Sequence, residues 1–446
     1  MTKPTPPQGY TVITFGCQMN EYDSEILAGL MENLGYYPTK QPEEADIVLI
    51  NTCCVRETAE NKVFSLLGRL RKLKEKKPEL LIGVSGCMSQ QEGMAQQIRR
   101  RFPHVDLILG TGDAYRLPEI LDRALSEGKA QNAVGTPTGI VENLPIKREK
   151  AVRAWVPIMF GCDNFCTYCV VPYVRGRERS RRAEDILPEI KELGQKGFRE
   201  VVLLGQNVNS YGKDLAPSMD FADLLQQINK DAGAVLRFRY MTSHPRDFSA
   251  KLIETIASAD RVCEHFHLPV QAGSDRILQM MNRGYNRKDY LTLIANIKNR
   301  LPDATVTTDI MVGFPGEAEE DFQDTLDLVR QVAFDSAYTF VYNPRPGTPA
   351  EKMAGQVPSL VKKERIQELQ ALLDQIGLAK NREEIGRQRE VLVEGESPRG
   401  LGWLVGRSRG DKIVTFPGER ELIGRLVTVP IERAHLAQLE GGKVVG

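Results

Sequence analysis

Apolar runs of five to eight residues alternate with charged, helix-patterned stretches along most of the chain. "YTVITFGC", "ADIVLINTC", "LLIGVSGC" and "VDLILG" are near-continuous apolar runs in the first third. Such runs suit strands buried on both faces of a parallel sheet. Helical segments are expected between and after them, at about 22–34, 58–77 and 117–126. The alternation predicts a doubly wound parallel α/β domain over residues 8–135. A stretch rich in Gly, Pro and charge, 130–152, reads as a linker.

A second alternating series follows. Its strands are "WVPIMFGC", "EVVLLG", "LRFRYMT", "HFHLPV", "TVTTDIMVG" and "AYTFVY". Helices are expected at about 183–196, 220–232, 287–301 and 318–331, with a charged helix over 359–387. Six strand–helix units predict a partial (β/α)6 barrel within 148–378, with its chemistry at the carboxyl ends of the strands. The pattern then changes. "EVLVEGES", "GWLVGRSR", "DKIVTFPG" and "IGRLVTVPIERA" are short β runs broken by Gly and Pro. They predict a small all-β barrel over 379–446. The fold class is therefore multidomain α/β with a β-barrel at its end.

Composition adds little to this picture but excludes some partners. Lys+Arg and Asp+Glu both number 59, so only local charge can mark a binding surface. No apolar run approaches the roughly 20 residues of a membrane helix, and "MTKPTPPQGY" lacks a signal-peptide core. A cytoplasmic, reducing setting without membrane contact is expected. Eight cysteines there point to metal or redox chemistry rather than disulfides.

Three of the cysteines form a C-x3-C-x2-C stretch, "CDNFCTYC", with Cys162, Cys166 and Cys169. Thiolates so spaced can hold three corners of a [4Fe–4S] cubane and leave its fourth iron open. The alternative is a zinc site closed by a distant ligand such as Cys263 or a His. Three more cysteines, Cys17, Cys53 and Cys87, each end an apolar strand, at intervals of about one strand–helix–strand unit. A parallel sheet gathers the carboxyl ends of its strands on one edge, so these three are expected to converge there. Cys54 competes with Cys53, but neighbours in extended chain point oppositely, so one of them faces the edge. Cys263 reads as a packed thiol, and His244, His265 and His267 read as structural.

"GCQMNEYDSE", "NTCCVRE" and "GCMSQ", followed by "GCDNFCTYC", resemble the radical S-adenosylmethionine (SAM) methylthiotransferases over almost the whole chain, most closely the type that acts on tRNA. The resemblance implies two [4Fe–4S] clusters. Cys162, Cys166 and Cys169 would hold the one that cleaves SAM to a 5′-deoxyadenosyl radical. Cys17, Cys53 and Cys87 would hold an auxiliary cluster. It places Tyr168 beside the SAM adenine and further SAM contacts in "LLGQNVNSYG", "LPVQAGSD" and "TTDIMVGFPGE", at Gly205, Gln206, Gln271, Ser274, Asp309 and Gly313. It also implies an electron donor such as flavodoxin or ferredoxin, and a monomer.

"VRGRERSRR" places Arg175, Arg177, Arg179, Arg181 and Arg182 just past the cysteine motif. Alternating Arg in extended chain predicts a stripe that tracks an RNA backbone. The C-terminal runs resemble the RNA-binding TRAM domain, with Arg399, Arg407, Arg409 and Lys412 as candidate contacts. "GRLRKLKEKK" and Arg99–Arg101 read as exposed helix faces.

The expected activity is addition of a methylthio group to C2 of N6-isopentenyladenosine beside the anticodon of tRNA. Sister enzymes of the same fold modify a ribosomal-protein aspartate or N6-threonylcarbamoyladenosine. A zinc-containing, non-catalytic RNA-binding protein is the alternative from another class.

Overall fold

A computed structural model describes residues 8–54, 57–148 and 152–445. Residues 1–7 of the leading stretch, Val55 and Arg56 of "NTCCVRE", 149–151 of the expected linker and the final Gly446 lie outside the described residues. The chain divides into two compact units. The first comprises residues 1–149, 159–163 and 169–179; the second comprises 150–158, 164–168 and 180–446.

The first unit is built on a six-stranded, all-parallel sheet. Its strands are β1 (Gly9–Phe15), β2 (Tyr37–Pro38), β3 (Ile47–Thr52), β4 (Leu81–Gly86), β5 (Leu107–Leu109) and β6 (Gln131–Ala133). They lie in the order β2-β1-β3-β4-β5-β6. Every residue of β3 is buried, as the apolar run at 47–50 requires of a strand covered on both faces, and the polar Asn51 and Thr52 at its end are buried too. Val48, Ile50, Ile82, Val84 and Ile108 pack against Val63, Leu67 and Leu70 of the helix Glu57–Lys76. The four apolar runs became β1, β3, β4 and β5. The short strands β2 and β6 were not foreseen, and β6 occupies part of the expected linker. Two or three residues carry too little alternation to register as a strand.

Two-residue strands β8 (Met159–Phe160) and β9 (Arg179–Ser180) flank the cysteine motif. The second unit carries six further parallel strands: β7 (Arg153–Pro157), β10 (Glu200–Leu204), β11 (Arg237–Met241), β12 (His265–His267), β13 (Thr305–Val312) and β14 (Ser336–Val341). They form two three-stranded sheets, β11-β10-β7 and β12-β13-β14. A parallel bridge between Phe238 and Val262 joins them, and the Cys263 N–H donates to the Phe238 carbonyl at 2.9 Å. The six expected strands are thus present as a partial barrel. Three of its helices start at side-chain caps: Asp220 accepts from the Asp223 N–H, Ser249 from Leu252 and Asn286 from Asp289.

The C-terminal strands β15 (Gln388–Glu396), β16 (Trp403–Ser408), β17 (Ile413–Pro417), β18 (Leu426–Ala434) and β19 (Leu439–Gly441) close a barrel in the order β15-β16-β17-β19-β18. Val391, Leu404, Phe416, Val429 and Ile431 fill it. This barrel sits on the amino-terminal ends of the β7–β11 sheet, away from the loops that carry chemistry. Fully buried Arg237 donates to the carbonyls of Arg407 (2.7 Å) and Glu390 (3.0 Å) and to the Glu390 carboxylate (2.7 Å). Arg239 donates to the Ser408 and Arg409 carbonyls and to Glu200. No described helix is long and apolar enough to cross a membrane.

Candidate functional site

In the first unit, Cys17, Cys53, Cys54 and Cys87 all stand at the carboxyl edge of the sheet. Cys17 is the N-cap of the helix Gln18–Asn33, directly after β1. Cys53 and Cys54 follow β3, and Cys87 follows β4 and donates its N–H to the Thr52 carbonyl at 2.8 Å. Two asparagines hold this edge in register. Asn20 donates to Asn51 Oδ1 (3.2 Å) and the Thr52 carbonyl (3.1 Å), while Asn51 donates to the Asn20 carbonyl (2.7 Å) and Ser24 Oγ (2.9 Å). Glycine is required beside them. A Cβ on Gly86, at φ +100°, would stand 2.4 Å from the Thr52 carbonyl oxygen.

Cys54 and Cys87 form a small buried cluster with Val170 and Val174. The Cys87 thiol is drawn down to about 6, first by its hydrogen bond from Cys54 and then by the Arg175 guanidinium, against the opposing effect of burial. The Cys54 thiol moves the other way, well above its usual value, through that same hydrogen bond and burial. Arg175 Nε donates to Cys87 Sγ at 3.3 Å, and its Nη2 donates to Asp23 Oδ2 at 2.7 Å.

The unit division runs through the C-x3-C-x2-C motif itself. Cys162 and Cys169 belong to the first unit and Cys166 to the second. On the first side, the Cys162 N–H donates to the Gly176 carbonyl (3.2 Å), and Arg177 forks onto Asp163 (2.7 and 3.1 Å). On the second side, residues 164–168 are tied to the barrel. The Thr167 N–H donates to the Met281 carbonyl (3.1 Å), Thr167 Oγ1 to Met280 (2.9 Å) and the Ala350 N–H to Thr167 (2.9 Å). Buried Arg283 donates to Cys166 Sγ (3.3 Å), to the Tyr168 hydroxyl (3.4 Å) and to the Pro269 carbonyl (2.6 Å).

Among the described residues, no group of three or more His, Cys, Asp or Glu side chains is arranged so that it could hold a metal ion. The donor chemistry nevertheless fits iron–sulfur clusters. Both places present thiols, and each has one thiol receiving an N–H from a buried arginine, the outer-shell contact that suits a thiolate ligand.

The candidate SAM residues lie in the second unit, most of them after the carboxyl ends of barrel strands and Asp309 within one. Gly205 follows β10, Asp309 lies on β13 and Gly313 follows it. Gln271, at φ +74°, bridges Ile310, and its N–H donates to the Asp309 carbonyl (2.8 Å). Gln206 is half-buried beside Gly205. Tyr168 packs on the buried cluster of Ala272, Leu278, Met281, Phe314 and Tyr342. Ser274 caps the helix Asp275–Met280 and donates to Asp321 (2.6 Å), and the Gly313 N–H donates to the Glu317 carboxylate (3.0 Å). These two groups are engaged by the protein itself.

The five arginines do not form one exposed stripe. Arg175 and Arg181 are buried, Arg181 donating to the Pro157 carbonyl and Glu189 (both 2.8 Å). Arg179 donates to the Pro137 carbonyl (2.8 Å), whereas Arg177 and Arg182 are exposed. The alternation placed every second side chain outward only if the segment stayed extended. Arg175 instead ends the helix Val171–Val174 in helical backbone, and Gly176 follows at φ +76°, which breaks the alternation. Arg409 and Lys412 likewise face inward, onto Glu264 and Asp335, while Arg399 lies over Trp403 at 4.2 Å. Arg407 donates to the Asp411 carbonyl (3.2 Å). Arg101 stacks on Phe64 and Arg99 reaches Asn132, so those arginines serve packing as well as solvation.

His265 and His267 share Thr307 Oγ1, and His244 caps a short 3₁₀ turn, as structural histidines do. Cys263 is buried. The residues that sequence reasoning missed are Asn20, Asp23, Asn51 and Arg283. The first three lie inside or beside quoted motifs, but only tertiary contacts disclose their partners.

Residues 9–110 match the uncharacterized protein family UPF0004, residues 156–329 the radical SAM superfamily and residues 382–444 the TRAM domain. The chain is 59% identical over 434 residues to the tRNA-2-methylthio-N(6)-dimethylallyladenosine synthase of Pelotomaculum thermopropionicum, covering 97% of each chain. It is 59% identical to the synthase of that name from Desulforamulus reducens, covering 97% of this chain and 94% of that one. In fold it resembles the radical S-adenosylmethionine methyltransferase TsrM of Kitasatospora setae, solved with cobalamin and a [4Fe-4S] cluster. That likeness has a TM-score of 0.57 at 14% identity and covers 77% of this chain and 74% of that one. With its three matched regions in order and 59% identity to named synthases over nearly its full length, the chain belongs to the tRNA-2-methylthio-N(6)-dimethylallyladenosine synthase family of radical SAM enzymes.

Proposed function

We propose that the chain adds a methylthio group to C2 of N6-isopentenyladenosine next to the anticodon of tRNA. The observation that carries this reading is the presence of two separate thiol sites in one chain, in a sequence 59% identical to named tRNA methylthio synthases over nearly its full length. One site is the C-x3-C-x2-C loop; the other is the edge of the parallel sheet. SAM and [4Fe–4S] clusters, when bound, supply one-electron cleavage of the sulfonium and the sulfur and methyl that are transferred.

The residues have distinct tasks in this reading. Cys162, Cys166 and Cys169 hold the radical-generating cluster, and Cys17, Cys53 and Cys87 hold a second one. Arg283 fixes Cys166 and Tyr168 together. Gly205, Gln206, Gln271 and Asp309 line the strand ends where SAM is bound, with Ser274 and Gly313 shaping the loops. Exposed Arg177 and Arg182, together with Arg399 of the small barrel, contact tRNA phosphates. The adenine leaves its stack to reach the barrel mouth, since a ring carbon held between stacked neighbours is out of reach. The enzyme works as a cytoplasmic monomer and takes electrons from a flavodoxin or ferredoxin.

The direct test incubates the iron-loaded enzyme with SAM, reductant and isopentenylated tRNA, followed by nucleoside mass spectrometry. A methylthio gain on that nucleoside is expected. No gain there, with a gain on ribosomal-protein aspartate or on threonylcarbamoyladenosine, would replace this assignment with a sister activity.

A further inference from the structure

We infer that Asp23 and Arg175 act as a positioning pair that sets the electronic state of the Cys87 thiolate, and through it the reduction potential of the auxiliary cluster. The inference rests on the reading that Cys87 is a ligand of that cluster.

Arg175 is only 5% exposed. A buried guanidinium is tolerated when it is paired and its N–H groups are used. One arm is satisfied by Asp23, whose side chain is itself 15% exposed, at 2.7 Å. The Nε–H is aimed not at an oxygen but at Cys87 Sγ, 3.3 Å away. A neutral thiol is a weak acceptor, whereas a thiolate makes a charge-assisted bond to a guanidinium. The contact is therefore built for a sulfur that carries negative charge.

The placement is rigid. Arg175 closes the turn of helix Val171–Val174, its N–H donating to the Val171 carbonyl at 2.8 Å, and Thr111 Oγ1 holds the Val174 carbonyl at 2.6 Å. Asp23 lies on the first turns of the helix that begins at Cys17, so the pair links the carrier segments of two of the three expected ligands. Hydrogen bonds to cluster sulfurs and nearby charge are among the factors that set such potentials.

The two halves of the pair have opposite signs. Removing Arg175 withdraws a cation and a hydrogen bond, leaving the reduced cluster less stabilised and its potential lower. Neutralising Asp23 leaves the cation unopposed and raises the potential. A residue with a merely structural role has no reason to give opposite shifts.

The experiment uses the full chain with Cys162, Cys166 and Cys169 replaced by Ala, so that only the auxiliary cluster is loaded. Iron and sulfide are counted, and the reduced cluster is titrated by electron paramagnetic resonance. At the parent midpoint, Arg175→Met is expected to show a reduced-to-oxidised ratio about tenfold lower, equivalent to about 59 mV for one electron. Asp23→Asn is expected to shift upward, and Arg175→Lys to fall between parent and Met. Unchanged midpoints with iron retained overturn the inference. If Arg175→Met loads no iron, the Asp23→Asn midpoint decides: an upward shift supports the pair and an unchanged value overturns it. Cys87→Ala in the same background separates the two readings, because full iron retention there would refute the ligand assignment rather than the role of the pair.

Discussion

Single thiols divide the labour at the sheet edge. Cys53 stands against the chain beside Cys17, its Cβ 2.9 Å from where a Cβ on Gly16 would sit, whereas Cys54 is packed with Cys87, Val170 and Val174. Replacing Cys53 by Ala, in the chain that lacks the three motif cysteines, is therefore expected to abolish iron loading. Cys54→Ala should keep most of it, and iron analysis distinguishes the two. His265 shows the opposite use of burial. Its imidazole is held down at about 4, first by burial. Between that value and the ordinary 6.5 the unfolded chain takes up a proton that the folded chain refuses. Stability from this residue is full above pH 6.5 and falls as pH drops towards 4. At pH 5.5 the expected loss is about 1.4 kcal/mol. Both tryptophans, Trp155 and Trp403, lie in the second unit, so urea unfolding followed by their fluorescence reads it. A His265→Gln variant should show a shallower decline.

At the scale of an element, the loop that carries the cysteine motif is tightly held by backbone. Gly161, at φ +78°, precedes Cys162, and a Cβ there would stand 2.0 Å from the Arg177 carbonyl oxygen. Backbone cannot yield as a flexible side chain can. Gly161→Ala is expected to displace Cys162 and halve the iron of the loaded enzyme, from about eight to about four per chain. The sheet-edge cluster should survive, and its electron paramagnetic resonance signal shows whether it does. The strands were legible because burial on both faces demands continuous apolar runs, and because Gly-Cys endings punctuate them. The two-residue strands and the helices Met94–Arg101 and Ala250–Ser258 were not legible, since short or weakly patterned segments take their conformation from what they pack against.

At the scale of the whole molecule, the small C-terminal barrel is joined to the partial barrel by buried arginines rather than by an apolar seam. Arg237 uses both terminal nitrogens across this contact. Arg237→Met would leave two carbonyls and the half-exposed Glu390 without that donor. The expected cost is about 2–4 kcal/mol, read as a lower urea midpoint by tryptophan fluorescence.

The sequence by itself determined the order of the domains, the strands that carry the site and the cysteines placed at their ends. These follow from local rules: apolar runs make buried strands, parallel strands align their carboxyl ends, and a thiol at each end must then share an edge. The tertiary structure decided which charges are available. Arg175 and Arg181 read as members of an outward stripe, yet folding buries both, Arg175 against Asp23 and Cys87 and Arg181 against Glu189. Arg409 and Lys412 are likewise turned inward. A side chain's charge is written in the sequence, but its partner is fixed by residues up to hundreds of positions away, and only the folded chain brings them within hydrogen-bonding distance.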